Sequence, residues 1–276
     1  MIYDLQKASL TKRLSAFLFD FILLAIVFTG AMTVISTIVK YDDYFNVYQS
    51  KLLEIHDRHH TFQIEEEYGI SFSDYTYMTK EEKACVPSEV REEFDACINE
   101  IDNDAELNKL SAINTNLTFV IITFSLLIAF GVVEFAIPLF LKNGQTLGKK
   151  IFSLAVIKMD GVRISPMILF VRAILGKYTI GTMVPILMVL ALMLGAAPIM
   201  PLSVLLLVLL LQIVFLITTK TNSLIHDSLA STVVVDFQSQ MIFDSLEAKN
   251  QYILRIQNEK AENRQSVDSE DTEEEY

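Results

Sequence analysis

Two carboxylates and two guanidinium groups stand in this chain where apolar neighbours make charge expensive. Arg13 opens the apolar run Leu14–Val39, and Asp20 lies inside it. A carboxylate at that depth in hydrocarbon costs roughly 2.5–3.5 kcal/mol on insertion scales unless it meets a partner or water. Seven residues are two helical turns, so Arg13 and Asp20 share one face and are expected to pair there. That face must look into protein or a cavity. Glu134 lies in a second apolar run, Leu117–Leu141, seven residues before its end, a depth that matches Asp20. Gly131, one turn from Glu134, allows another helix to approach. Arg172 interrupts the otherwise apolar Met167–Leu175. Carboxylates buried beside arginines can carry a proton or a cation, with the arginines setting their pKa values. A structural ion-pair network accounts for the same residues equally well. On either reading Arg13, Asp20, Glu134 and Arg172 are expected to lie near one another.

Other chemistry-bearing residues promise less. His56, His59 and His60 cluster around Asp57, but a solvated helix face explains them better than a metal site, so no metal is expected. Cys85 and Cys97 are the only cysteines and fall in one segment, so a disulfide is expected. The glycines of Asn143-Gly144-Gln145-Thr146-Leu147-Gly148-Lys149-Lys150 miss the phosphate-loop pattern, because Lys150 stands where Ser or Thr is required. They read instead as a tight turn at the membrane surface. His226-Asp227 has no nucleophile in view. No enzyme signature, cofactor motif or nucleic-acid-binding pattern is present, and the chain reads as a non-enzyme.

The elements that must position these residues follow from composition. The chain of 276 residues is 52% hydrophobic yet carries a formal charge of −12. That combination fits apolar spans alternating with acidic soluble parts. Four spans are expected, Leu14–Val39, Leu117–Leu141, about Thr179–Ala197 and about Leu202–Thr219, the last two joined by a tight turn marked by Pro198 and Pro201. The first run is too long for a cleaved signal and reads as an anchor. Bases concentrate before span one and between spans two and three, while Lys40–Asn116 holds 18 acids against seven bases. The positive-inside rule then puts both termini inside and that loop outside. Within the loop, Tyr41–His60 and Lys80–Lys109 read as helical.

Ile151–Lys158, Asp160-Gly161 and Val162–Ser165 give a hairpin signal, and Ser231–Asp236 is a candidate third strand. Ser165-Pro166 caps and starts a helix read as interfacial. The fold class is therefore an α-helical integral membrane protein. It has four transmembrane helices, a small cytoplasmic β-hairpin or sheet element and a helical extracytoplasmic insert. The divisions are 1–40 (flank and first span), 41–116 (insert), 117–236 (membrane core) and 237–276 (cytoplasmic helix and acidic tail).

Taken together, Arg13 with Asp20, the Asn143–Lys150 segment, Val156–Asp160-Gly161, Arg172 and His226-Asp227-Ser228-Leu229-Ala230-Ser231-Thr232-Val233-Val234 resemble the RDD family of membrane proteins. Arg13 and Asp20 match its first two signature residues, and Asp227 is the candidate for the third. The likeness covers Leu10–Lys40 and Leu117–Asp236. Ser231 stands where glycine is expected, and the insert and tail lie outside the pattern. The resemblance implies transport of an ion or small solute by a multi-pass protein of the cell membrane, most simply the bacterial plasma membrane. Four short spans enclose little volume, so a homo-oligomer is expected. The alternative is a membrane-anchored interaction, immunity or accessory protein whose insert binds a protein partner.

Overall fold

The computed structural model describes residues 4–141, 143–179, 199–219 and 224–273. The expected third span therefore lies outside the described residues except for Thr179. The chain divides into two compact units, Thr29–Ser125 and the remainder.

Among the described residues, two helices are long and apolar enough to cross a membrane. They are α1 (Leu10–Ile38) and the helical run Ala105–Leu141. The second consists of α7 (Ala105–Phe130), a π-helical segment (Gly131–Ala136) and α8 (Ile137–Leu141). Their apolar side chains are largely exposed, Phe17, Phe21, Ile22 and Ile26 among them, as suits surfaces facing lipid. A further apolar helix, α11, spans Ile199–Thr218. Pro201, expected in the turn before this helix, lies within it, and Pro198 lies outside the described residues.

In the unit Thr29–Ser125, five helices lie between α1 and α7. They are α2 (Tyr41–Arg58), α3 (Thr61–Tyr68), α4 (Phe72–Tyr77), α5 (Lys80–Ala84) and α6 (Ser88–Asn103). The single helix expected over Lys80–Lys109 is broken at Pro87 and Asp104, where the backbone turns extended. One core gathers Tyr75, Val86, Val90 and Phe94, and another gathers Ile55, Cys97 and Leu107. Tyr75 donates its hydroxyl proton to Asp95 at 2.8 Å. Burial and that carboxylate push the phenol up to about 12. Lys51 of α2 reaches Asp104 at 3.2 Å and Glu106 at 2.5 Å.

The expected disulfide is absent: Cys85 and Cys97 are free thiols, the first exposed and the second buried. The reason is helical geometry. Cys85 precedes α6, whereas Cys97 lies nine residues past Ser88, a rise of roughly 13 Å. A disulfide needs its Cα atoms within about 4.4–6.8 Å. Cys97 instead continues the buried face of Val90 and Phe94. The three histidines do not converge. His56 Nδ1 lies 2.9 Å from the Thr61 hydroxyl, His59 lies between Glu93 and Glu100, and His60 is a left-handed residue before α3.

The other unit is built around a two-stranded antiparallel ribbon, β1 (Leu154–Lys158) with β2 (Thr232–Asp236), centred on Val156 opposite Val234. Both faces are covered. Leu154, Val156 and Val234 pack with Ala8, Ala16, Ile164 and Leu169, while Ala155, Ile157, Val233 and Val235 pack with Leu5 and Ile242. Strands buried on both faces are apolar at every position, which is why neither run alternates with polar residues. The expected hairpin is only partly formed. Gly161 takes a φ of +86° in the turn, but the returning arm contributes a single bridge, Ile157 to Arg163, and β2 is the main partner of β1. Ile151 belongs not to the strand but to a short helix, α9 (Leu147–Ile151).

The two strands are entered alike. Helix α9 leads through Ser153 (φ +54°) into β1, and helix α12 (Ile225–Leu229) leads through Ser231 (φ +50°) into β2. The left-handed backbone at Ser231 explains why glycine is expected there. The bonds repeat too, since Phe237 N–H donates to Ser153 O at 2.8 Å and Met159 N–H to Ser231 O at 3.1 Å. After β1 come α10 (Pro166–Phe170) and a π-helical segment (Val171–Tyr178). Ser165 caps α10 through the N–H of Ile168, with Pro166 following as expected. A helix, α13 (Leu246–Glu273), follows β2.

Candidate functional site: a buried charge network

Arg13, Asp20, Glu134, Arg172 and Asp227 all lie in the unit that holds the ribbon. Asp20, Glu134, Arg172 and Asp227 are each more than nine-tenths buried. The partners differ from the Arg13–Asp20 pairing expected from their spacing. Arg13 reaches Asp227, with Nη2 3.6 Å from Oδ2. Asp20 instead meets the start of α9. It accepts from the Gly148 N–H at 2.8 Å and from the Thr146 hydroxyl, with Lys149 Nζ 3.6 Å away. Thr146 is itself the N-cap of α9 and accepts from Lys149 Nζ at 3.0 Å. A side chain at position 148 could not be housed: a Cβ there would lie 2.9 Å from Asp20 Oδ1 and closer still to the Ala16 carbonyl oxygen.

Asp227 carries the strongest pair. Arg172 donates from Nε at 2.8 Å and places Nη2 2.6 Å from the same Oδ1. Burial alone would push the Asp227 carboxyl up, but Arg172, reinforced by Arg13, holds it below the ordinary carboxylate range. His226 Nε2 lies 3.6 Å from Asp227 Oδ1. Burial nonetheless lowers the imidazole to about 3, with Arg172 and Lys177 adding to the effect, so the ring is neutral. Gly176 makes room for it, since a Cβ there would meet His226 Cβ at 2.7 Å.

Glu134 pairs with Lys177, Nζ to Oε2 at 2.5 Å, and both side chains are largely buried. Each sits in a π-helical segment, and Lys149 and Arg172 act on the same carboxylate through space. Asp20 and Glu134 thus belong to one connected network. Lys149 is its link, touching Asp20 and acting on Glu134. Sequence reasoning missed Thr146, Lys149, Lys177 and the packing of His226. Thr146 and Lys149 lay inside a segment already noted for its glycines. Lys177 was counted only for topology, because nothing in its local sequence marks it as buried.

The arrangement can hold carboxylates ionised in a low-dielectric interior. Two candidate membrane-spanning helices and a buried ion network give the chain the character of a membrane protein. The sequence profile of the RDD family matches residues 7–231, most of the chain, and the protein belongs to that family. No curated protein and no solved structure matches it at a significant level.

Proposed function

We propose that the protein is a multi-pass transporter subunit, non-enzymatic, that moves an ion or small solute through a polar site on the inner half of the membrane. The observation that carries this reading is the Glu134–Lys177 pair, which joins two π-helical segments within an apolar helical environment. π-Helical turns widen the backbone locally and recur at functional sites. Ionisable residues held inside a membrane segment are by default part of a substrate or ion route. Four spans with both termini inside fit the distribution of Lys and Arg, with the acidic insert outside and the ribbon and tail in the cytoplasm. Assembly as a homo-oligomer supplies the volume that four short spans lack.

The test is flux into proteoliposomes of purified protein, with protons and alkali cations as the probes. Glu134→Gln is expected to abolish flux while the protein elutes as a folded species. Undiminished flux in that variant, or no flux in the parent protein with any probe, overturns the reading. A second reading rests on the insert. Its two hydrophobic cores are built without the ribbon unit, and it carries 18 acids, so it supports a role as a docking module for a protein partner. Deleting residues 41–108 separates the two, because a transporter core keeps its flux and a docking protein loses its partner.

A further inference from the structure

Helix α7 carries a second set of polar groups that the ion network does not use. Asn114 is buried, and neither its Oδ1 nor its Nδ2 has a hydrogen-bond partner. Ser125 is fully buried, and its hydroxyl likewise has none. Eleven residues make three turns with a residual rotation of about 20°, so the two side chains lie on one face, roughly 16 Å apart along the axis. Ile121 lies between them on that face and is also buried. The flank of the helix that carries Val120 and Phe124, roughly 80–120° round from Asn114, is exposed and apolar. Near the insert end, Thr118 Oγ1 donates to the Asn114 carbonyl at 2.8 Å and stands 3.4 Å from the Tyr41 hydroxyl. A polar row thus runs down the buried face of a helix whose neighbouring flank suits lipid.

Buried amides and hydroxyls are nearly always paired, because leaving them unpaired in a low-dielectric interior costs the full desolvation of each atom. An amide offering both a donor and an acceptor, followed by a hydroxyl three turns on, suits water and small polar solutes that replace it. Apolar side chains would pack this face at lower cost. We infer that Asn114 and Ser125 line a water-accessible vestibule that enters the membrane part from the insert side. The inference rests on the transport reading and deepens it by giving a polar solute a wet route along α7.

The test is cysteine accessibility in a background of Cys85→Ser with Cys97→Ala. Ruptured membranes open on both faces make the result independent of orientation. The probes are the membrane-impermeant 2-(trimethylammonium)ethyl and 2-sulfonatoethyl methanethiosulfonates, with later blocking of a maleimide gel shift as the readout. Asn114→Cys and Ser125→Cys are expected to react at least about tenfold faster than Val120→Cys and Phe124→Cys, because a thiol needs water to ionise and react. Tyr77→Cys, in the exposed part of the insert, shows that the reagents are active. If Asn114→Cys and Ser125→Cys react as slowly as the lipid-facing controls while Tyr77→Cys reacts fully, the vestibule does not exist. Ile121→Cys supplies the same reading should either variant fail to elute as a folded species. The labelling reports access and the flux assay reports transport, so each can fail without the other.

Discussion

Lys149 and Asp227 occupy the same place in two equivalent elements. Each is the third residue of a five-residue helix that passes through a left-handed serine into one strand of the ribbon. The two carry opposite charge, and α1 answers both from one face, with Asp20 beside Lys149 and Arg13 beside Asp227. The seven-residue spacing on α1 is therefore not that of an internal pair. It matches two docking points related by the ribbon.

Removing the Asp227 charge should unfold this arrangement most severely. Asp227→Asn leaves Arg172 and Arg13 buried without their carboxylate. The expected cost is about 3–5 kcal/mol, read as a fall in the detergent melting temperature. Replacing the pair together, Arg172→Met with Asp227→Leu, is expected to recover most of it. A single variant as stable as the parent would mean that the pair contributes nothing.

The partner of Asp20 is measurable by a double-mutant cycle. Asp20→Asn combined with Lys149→Met is expected to show a coupling of roughly 0.5–3 kcal/mol, since the two side chains share Thr146 and lie in contact. Asp20→Asn combined with Arg13→Gln is expected to be closer to additive. Coupling confined to the arginine would return Asp20 to the partner its spacing first implied.

Acid should weaken the protein through His226. The folded ring takes a proton only near pH 3, whereas an unfolded histidine does so near its ordinary 6.5. The unfolded state therefore binds more protons between those values. Stability from this group is complete above about pH 6.5 and is lost as pH falls, by up to about 1.4 kcal/mol per unit. Asp227, held below the ordinary carboxylate value of 3.8, adds its own loss only at still lower pH. Melting curves from pH 7 to pH 4.5 should slope for the parent protein and flatten for His226→Gln. Equal slopes in both would refute the assignment.

The two thiols should behave differently. Cys85 is exposed, while burial pushes the Cys97 thiol up to about 11. Iodoacetamide at pH 8 is expected to label Cys85 in the folded protein and Cys97 only after denaturation, as read by peptide mass spectrometry. A crosslinked peptide in non-reduced native protein would restore the disulfide.

Much of this protein was legible in the chain itself. The long apolar runs around Asp20 and Glu134 mark candidate membrane helices, because hydrocarbon tolerates only backbone bonded within its own segment. Residue type alone marked Arg13, Asp20, Glu134 and Arg172, since charge inside such runs is costly. The β-branched runs at 154–158 and 232–236 were visible, and so was the cap at Ser165-Pro166.

The tertiary structure decided who meets whom. Periodicity places Arg13 and Asp20 on one face but says nothing of what arrives there. That depends on Gly148, where only a missing side chain lets α9 close on α1, and on Gly176, which admits His226. Lys177 reads as one base among many until the second π-helical segment brings it to Glu134. The likeness of α9 with β1 to α12 with β2 was hidden because side chains diverged while backbone angles did not. The cysteines show the opposite case. Their shared segment implied a bond, and the rise along α6 carries Cys97 away from Cys85, which precedes that helix.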